Sequence, residues 1–295
     1  MAAHPAPQFG AAGTRTIMGG HDGPLIGTII KPSVGLGPEE TAALVRTLVE
    51  AGIDFIKDDE LQANGPHCPF DARLDAVMRV IDDHADRTGR RVLYAVNITD
   101  DIDRMWRNLD AVARHGAASA MVCLNAVGLP GLRAVRNRSA VPIHGHRAGW
   151  GLLSRSPDIG IAFGVMQQLW RLAGADHLHV NGLNNTFTEG DDVVTAAARS
   201  VQMPLPGPEP KTALPVFSSG QTIWQVAPSR ALLGNDDFIF CAGGGIMSHR
   251  DGPGAGVAAL RAAGNAARDG VSLDDVAAPG SQLARAIATF GRPAT

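Results

Sequence analysis

The chain has 295 residues, which permits one large domain, and 45% of them are apolar, enough to build a sizeable core. Its net charge of −3 gives no electrostatic basis for binding nucleic acid or an anionic membrane. The three cysteines are widely spaced and form no CxxC pair, which argues against a disulfide framework and favours a reducing compartment. No signal peptide or transmembrane pattern opens the sequence, so we expect a cytoplasmic protein.

A short β-branched run, a turn and an Ala- and Leu-rich helical stretch repeat along the chain. The predicted strands cover 24–30, 53–56, 91–98, 120–124, 141–146, 177–181, 214–217 and 237–242. The predicted helices that follow them cover 38–51, 71–87, 101–115, 131–137, 157–173, 191–201, 222–233 and 254–268, with an extra helix over 272–289. Eight such units with nearly continuous apolar strands predict an α/β protein with a (β/α)8 TIM barrel, and a doubly wound open sheet is the alternative.

A barrel of this kind places its functional groups just after the strands, at the C-terminal face. Polar or glycine residues follow every predicted strand, whereas chance would scatter them over both ends. These residues are Lys31, Lys57, Asp58, Asp59, Glu60, Asn97, Asn125, His146, Arg147, His179, Asn181, Ser218, Ser219, Gly220, Gly243, Gly244 and Gly245.

Lysine is rare in this chain, and its positions are informative. Of the 26 basic residues only three are lysines, namely Lys31, Lys57 and Lys211. Two of them come directly after apolar strand-like runs. Lysine differs chemically from arginine because it can shift its pKa, act as a base or become carbamylated.

The segment 52–60 (GIDFIKDDE) runs from apolar residues straight into a lysine and three carboxylates. Asp59 and Glu60, with neighbouring Lys57, form an oxygen-rich cluster suited to Mg²⁺. A free ammonium beside a metal would be repelled, whereas a lysine carbamate would supply a third anionic oxygen. The alternative is a salt-bridged surface turn. We predict that this segment is the centre of an active site.

Two glycine-containing loops, 218–220 and 243–245, follow the last two predicted strands, where barrels commonly hold a phosphate with backbone N–H groups. Arg147 and His179 would hold a second anionic group, arginine through a bidentate fork. Histidines spaced by two along a strand face the same side. We favour His146 and His179 as the pair nearest the barrel mouth, although a single histidine on an apolar strand is usually a satisfied core residue.

With these motifs the chain resembles the catalytic C-terminal barrel of the RuBisCO large-chain superfamily, specifically the RuBisCO-like proteins of type IV. The similarity covers about residues 20 to 270, and the motifs stand in the family's order. They are 27–32 (GTIIKP), 54–60 (DFIKDDE), 144–148 (HGHRA), 176–179 (DHLH), 218–220 (SSG) and 243–245 (GGG).

The resemblance implies a role for each matching residue. Lys57 resembles the lysine that CO2 carbamylates and that ligates Mg²⁺ together with Asp59 and Glu60. Lys31 resembles the lysine that moves protons around the enediolate, and His146 the histidine near the substrate hydroxyls. The two phosphate-binding sets implied by the family are Arg147, His179 and Ser218, and Gly220, Gly243 and Gly244.

Three departures from the family bear on function. Carboxylases carry a lysine on the loop after the sixth strand, yet residues 180–190 (VNGLNNTFTEG) contain no basic residue. Ser33 stands where carboxylases have a second lysine. The family also carries a separate α/β domain before the barrel, whereas we assign residues 1–20 to a short segment, a remnant or linker, and 21–295 to the barrel. The chain would then be a fragment, half of a split protein or a barrel working alone.

The resemblance therefore implies Mg²⁺-dependent enolisation of a phosphorylated keto-sugar or 3-oxo sugar acid, without CO2 fixation. Isomerase, enolase and decarboxylase outcomes remain open, and the run 146–157 favours decarboxylation, as in bacterial members of sugar-acid catabolism. The alternatives are an impaired barrel that binds phosphorylated ligands or serves as an assembly subunit, and a ribulose-bisphosphate carboxylase. The predicted partners are the phosphorylated substrate and a second copy in a homodimer, or a separate chain with the N-terminal domain.

Overall fold

Eight parallel strands close into a barrel in which each strand pairs with the next along the chain and β8 pairs with β1. The computed structural model describes residues 4–20, 22–116, 118–156, 158–187, 189–205 and 212–293, so Lys211 lies outside the described residues. The predicted (β/α)8 barrel is confirmed. The strands are β1 Leu25–Ile29, β2 Phe55–Lys57, β3 Leu93–Asn97, β4 Ala118–Cys123, β5 Ile143–His146, β6 His177–His179, β7 Leu214–Phe217 and β8 Ile239–Cys241.

Helices surround the barrel, and one helix follows each strand on the outside. Their bounds are α1 Gly10–Ile17, α2 Pro38–Glu50, α3 Phe70–Thr88, α4 Ile102–Val112, α5 Leu124–Arg138, α6 Gly151–Ser154, α7 Phe163–Ala173, α8 Asp191–Gln202, α9 Val226–Leu233, α10 Gly243–Met247, α11 Pro253–Asp269, α12 Leu273–Val276 and α13 Gln282–Phe290. In the described part of the chain no helix is both long and apolar enough to cross a membrane.

Some of the predicted helices differ from the structure, and glycine or proline explains the kink in one and the interruption of another. The helix predicted over 131–137 starts earlier, at Leu124, and is kinked at Gly128, whose φ of 66° is not helical. The helix predicted over 157–173 begins only at Phe163. The helix predicted over 272–289 is two helices, because Pro279 and Gly280 interrupt it.

Helix α1, which sequence patterning did not predict, lies against the N-terminal ends of the last three strands. The backbone N–H groups of Phe9 and Gly10 donate to the Asp176 carboxylate at 2.7 and 2.9 Å, just before β6. Arg15 pairs with Asp237, just before β8, at 2.7 Å. Gly10 is required here because a Cβ would come within 2.2 Å of the Thr212 carbonyl oxygen. The helix therefore closes the floor of the barrel.

The apolar core has two parts. One fills the barrel interior and includes Leu25, Phe55, Met121 and Val216, with Met18 from the α1 end of the chain packed beneath them. The larger part lies between the strands and the surrounding helices. This arrangement holds the strand ends rigidly, so the polar residues that follow them converge at the opposite, C-terminal mouth.

Candidate active site

The end of β2 places a buried lysine beside two carboxylates. Lys57 is the last residue of the strand, and its side chain is only 2% exposed. Its Nζ donates to the Asp58 carbonyl oxygen at 2.8 Å and lies 3.3 Å from Glu60 Oε2. Asp59 is equally buried, while Glu60 is 29% exposed. The cluster predicted from the sequence is thus brought together at the barrel mouth.

The first carboxylate after Lys57, Asp58, points away from the cluster. It pairs with Arg73 of α3 at 3.1 Å, and both side chains are buried. It also accepts hydrogen bonds from the Tyr94 hydroxyl and from the Asn97 backbone N–H at 2.9 Å. Burial raises the pKa of Tyr94, as does the neighbouring Asp58 charge. Asp58 therefore anchors the loop, which leaves Asp59 and Glu60 facing the mouth.

Lys31 enters the same cluster from the end of β1. Its Nζ lies 2.6 Å from Asp59 Oδ2 and 2.8 Å from the hydroxyl of Ser33. Burial alone would raise the pKa of Asp59, but the hydrogen bonds from Lys31, the Leu61 N–H and Ser33 hold it below its ordinary value. Asp59 is therefore ionised at neutral pH. Ser33, which stands where carboxylases have a second lysine, accepts a hydrogen bond from Lys31.

The donor chemistry of this cluster fits Mg²⁺, which prefers carboxylate oxygens. Glu60 presents one such group 3.3 Å from the Lys57 Nζ, and Asp59 presents another beside Lys31. Among the described residues no three His, Cys, Asp or Glu side chains are arranged to hold a metal. The predicted ligand set contains two carboxylates, and its third member is a lysine. As an ammonium Lys57 pairs with Glu60, and as a carbamate it would contribute anionic oxygen.

His146, the last residue of β5, faces the cluster. Its Nε2 lies 3.5 Å from Glu60 Oε2, and its Nδ1 accepts a hydrogen bond from the Ala148 N–H at 3.1 Å. The ring proton is therefore on Nε2, directed at the carboxylate. Burial, followed by the charge of Lys57, lowers the pKa of His146 well below its usual value. The neutral ring offers one N–H to the centre of the site.

A column of histidines runs down the barrel axis beneath His146. The rings of His146 and His179 stack edge to face with centroids 4.5 Å apart. His179 Nε2 lies 2.9 Å from His144 Nε2, and His144 Nδ1 lies 3.4 Å from His177 Nδ1. The column ends at Thr14 of α1, whose hydroxyl lies 2.9 Å from His177 Nε2. His146 and His179 are the members nearest the mouth, as the sequence indicated.

Arg147 lies at the mouth and is paired with a residue that sequence reasoning did not identify. Its Nη2 donates to Glu189 Oε1 at 2.6 Å, and the amide of Asn181 donates to Glu189 Oε2, also at 2.6 Å. The guanidinium stacks over the Phe163 ring at 4.3 Å. The only signal in the sequence was a carboxylate in the loop after the sixth strand, and nothing in its spacing pointed to Arg147.

The two glycine loops lie after β7 and β8, as predicted. Gly220 has a φ of 81°, and a Cβ there would come within 2.6 Å of Thr186. A Cβ on Gly243 would come within 2.8 Å of Ile29, whereas one on Gly244 would meet nothing within 4 Å. Gly243 opens α10, and the N–H groups of a first helical turn have no intrahelical partner. Gly244 therefore leaves open space at the first turn of α10.

The asparagines among the predicted candidates support the loops. Asn97 donates to the carbonyl oxygens of Glu60 and Gln62, both at 3.3 Å, and so holds the loop that carries the carboxylates. Asn125 donates to the Ala148 carbonyl oxygen at 2.8 Å, below Arg147. Both side chains fix the backbone that presents other candidate residues.

Comparison with known proteins agrees with this geometry. The chain matches the family described as ribulose bisphosphate carboxylase large chain, catalytic domain, over residues 10–205 and 207–290. It is 56% identical to the 3-oxo-isoapionate-4-phosphate transcarboxylase/hydrolase of Xanthobacter autotrophicus, covering 95% of this chain and 68% of that protein. It is 42% identical to the 3-oxo-isoapionate-4-phosphate decarboxylase of Rhizobium etli, covering 98% of this chain and 69% of that protein.

Solved structures show the same architecture. A rubisco-like protein from Burkholderia fungorum superposes with a TM-score of 0.93 at 44% identity, covering 98% of this chain and 72% of that one. The dimeric archaeal Rubisco from Hyperthermus butylicus superposes with a TM-score of 0.89 at 34% identity, covering 98% of this chain and 70% of that one. The predicted resemblance is confirmed: the chain belongs to the RuBisCO large-chain family, with RuBisCO-like proteins among its relatives.

Proposed function

We propose that this chain enolises a phosphorylated 3-oxo sugar acid and releases its carboxyl group as CO2. The observation that carries the proposal is the cluster in which buried Lys57 lies 3.3 Å from Glu60 while Lys31 pairs with Asp59 at 2.6 Å. Two lysines and two carboxylates in contact at one barrel mouth supply both metal ligands and proton-transfer groups. The relatives named as acting on 3-oxo-isoapionate-4-phosphate support the substrate class.

The metal site would consist of Asp59, Glu60 and Lys57 as its carbamate. Mg²⁺ bound there would polarise the substrate ketone and stabilise the negative charge that develops on its oxygen. The carboxylates are held in place before substrate arrives, Asp59 by Lys31 and the Leu61 N–H, and Glu60 by Lys57. Such preorganisation lowers the reorganisation required during the reaction.

In the proposed reaction the bond between the carboxyl carbon and its neighbour breaks, CO2 leaves and the electron pair moves onto the ketone oxygen as an enolate. The ammonium of Lys31, half exposed at the mouth, then gives a proton to the carbon that lost the carboxyl group. The Nε2–H of His146 would hydrogen-bond a substrate hydroxyl. We propose that Gly220, Gly243 and Gly244 bind the phosphate and that Arg147, His179 and Ser218 bind the other end of the substrate.

Hydrolysis of the neighbouring bond, between the ketone carbon and the carbon that bears the carboxyl group, or transfer of the carboxyl group to an organic acceptor, is the second candidate. It is favoured by the 56% identity to the relative named as a transcarboxylase/hydrolase, against 42% to the decarboxylase. Trapping of released CO2 separates the two, because decarboxylation yields one CO2 per turnover whereas hydrolysis or transfer retains the carboxyl carbon in an organic product. We also propose a homodimer, in line with the dimeric archaeal relative.

The test is solvent deuterium exchange into a panel of phosphorylated keto-sugars and sugar acids, followed by NMR. The protein is assayed with Mg²⁺ and bicarbonate and again after addition of EDTA. We expect exchange at a carbon next to a carbonyl, lost with EDTA. Absence of exchange in every substrate, with the same ligands still raising the melting temperature, would show instead a barrel that binds phosphorylated ligands without turnover.

A further inference from the structure

A phosphate at the Arg147 end of the site would need the positive charge of Arg147. A carboxylate of the same chain, Glu189, already neutralises that charge. Arg147 and Glu189 lie 2.6 Å apart with side chains only 13% and 15% exposed. Asn181 holds the second oxygen of Glu189, so both carboxylate oxygens have fixed partners. A dianion placed here would face a carboxylate as well as the guanidinium, and like charges in a partly buried site repel strongly.

The hydrogen bonds along the histidine column determine to which atom the Ser218 hydroxyl donates its proton. Thr14 donates its hydroxyl proton to the Gly10 carbonyl oxygen at 2.6 Å, so it must accept from His177 Nε2–H. His177 Nδ1 then accepts from His144 Nδ1–H, and His144 Nε2 accepts from His179 Nε2–H. His179 Nδ1 is left as an acceptor, so the Ser218 hydroxyl donates to it at 3.1 Å. Neutral rings permit only this direction.

Each ring in the column is deeply buried, and its hydrogen bonds go to other rings or to hydroxyls. Burial lowers the pKa of His144 and His179 well below the usual value and that of His177 to about 3, in agreement with neutral rings. His179 therefore has no N–H left for a ligand. Ser218 presents its oxygen lone pairs, which accept from a hydroxyl but repel a phosphate oxygen.

Arg147 also keeps a donor atom unpaired, since its Nη1 is buried without a hydrogen-bond partner within the described residues. A hydroxyl suits such groups better than a phosphate does, since its oxygen accepts from an N–H while its proton is donated to an oxygen lone pair such as that of Ser218 Oγ. The donor and acceptor inventory thus matches an uncharged, hydroxylated carbon better than a phosphate.

We propose that Glu189 is a specificity-determining residue. Because it neutralises Arg147, the Arg147 and Ser218 end of the site binds a hydroxyl group, and the substrate carries a single phosphate group. This inference rests on the proposed function, because it assigns that one phosphate to Gly220, Gly243 and Gly244. It narrows the substrate class to sugar-acid monophosphates and excludes bisphosphates.

The test compares ribulose 5-phosphate with ribulose 1,5-bisphosphate, which share one carbon chain and differ by one phosphate. Binding to the full chain is measured by calorimetry, in wild type, in Glu189→Gln and in Asp192→Asn. The last removes an exposed carboxylate close to Glu189 and controls for a general loss of negative charge. We expect wild type and the control to bind the bisphosphate at least tenfold more weakly than the monophosphate. Glu189→Gln should bind the bisphosphate at least tenfold more tightly, with monophosphate affinity changed less than threefold.

Wild-type binding of the bisphosphate less than tenfold weaker than that of the monophosphate would overturn the inference, and so would an equal gain for both ligands in Glu189→Gln. Failure of the monophosphate to bind would overturn it together with the phosphate site. Monophosphate binding of the expected pattern without deuterium exchange would instead overturn only the proposed function and leave the role of Glu189 standing.

Discussion

Adjacent side chains of the Lys57–Glu60 run point in different directions because β2 ends at Lys57. Lys57, Asp59 and Glu60 face the mouth, while Asp58 turns outward to Arg73 and Tyr94. Residue type and position after a strand were enough to predict the cluster. They were not enough to predict that Asp58 anchors the loop while its neighbours face the mouth, since that depends on where Arg73 of α3 packs.

Loss of Lys57 or Glu60 should abolish the metal-dependent reaction. We expect Lys57→Ala and Glu60→Gln to lower the rate of Mg²⁺-dependent exchange by about a thousandfold or more, since each changes a residue of the proposed metal site. Circular dichroism and the melting temperature should show an intact fold. Asp75→Asn, on the outer face of α3, is the matched control. Full activity in either site variant would refute the assignment.

Asp58 should matter for stability where Asp59 matters for chemistry. Asp58→Asn leaves the buried guanidinium of Arg73 without its counter-charge, and breaking a buried pair costs about 3–5 kcal/mol. Urea unfolding should show this loss. Asp59→Asn should unfold within about 1 kcal/mol of wild type, because its partner Lys31 is half exposed. Equal destabilisation by the two variants would contradict the division of roles.

At the scale of elements, the strands and most helices could be predicted because their apolar periodicity is set by the barrel itself. Helix α1 could not, since its eight residues (GAAGTRTI) hold two glycines and only one large apolar side chain. Its place is set by tertiary contacts with Asp176 and Asp237. Glu189 was missed for the same reason, because a loop carboxylate carries no local sign that it folds back onto Arg147.

Helix α1 should control the tautomers of the histidine column through one hydroxyl. Thr14→Val removes the acceptor of His177 Nε2–H and leaves a buried donor unpaired, at a cost of about 1–3 kcal/mol. The ring ¹⁵N resonances of His177 and His144 should move away from single-tautomer values. Thr14→Ser keeps the hydroxyl and should keep the wild-type spectrum. An unchanged spectrum in Thr14→Val would show that the column is not coupled to α1.

For the whole molecule, buried neutral histidines make stability depend on pH. The pKa of His177 is about 3 in the folded chain because the ring is buried, against about 6.5 in an unfolded chain. Below pH 6.5 the unfolded chain binds a proton that the folded chain does not. Stability is therefore complete above that pH and is lost as pH falls toward 3, by about 1.4 kcal/mol per unit for this ring.

Urea unfolding at pH 7.5 and pH 5 checks this dependence. We expect wild type to lose about 2 kcal/mol or more over this range from His177, with its neighbours adding to the loss. His177→Gln should lose correspondingly less, whatever its stability at pH 7.5. His4→Gln, at an exposed position, should behave as wild type. A pH dependence identical in His177→Gln and wild type would rule out a contribution from this ring.

The position of α1 at the floor of the barrel determines when its contacts form during synthesis of the chain. Helix α1 precedes every barrel strand along the chain, yet the residues that hold it, Asp176 and Asp237, are synthesised 166 or more positions later. Contacts of such high sequence separation form late, since loop closure must precede them. A nascent chain that ends after β4 therefore exposes the apolar face of α1 and the open bottom of a half-barrel. The contacts that close the floor are therefore complete only after the segment that carries Asp237, just before β8, has been synthesised.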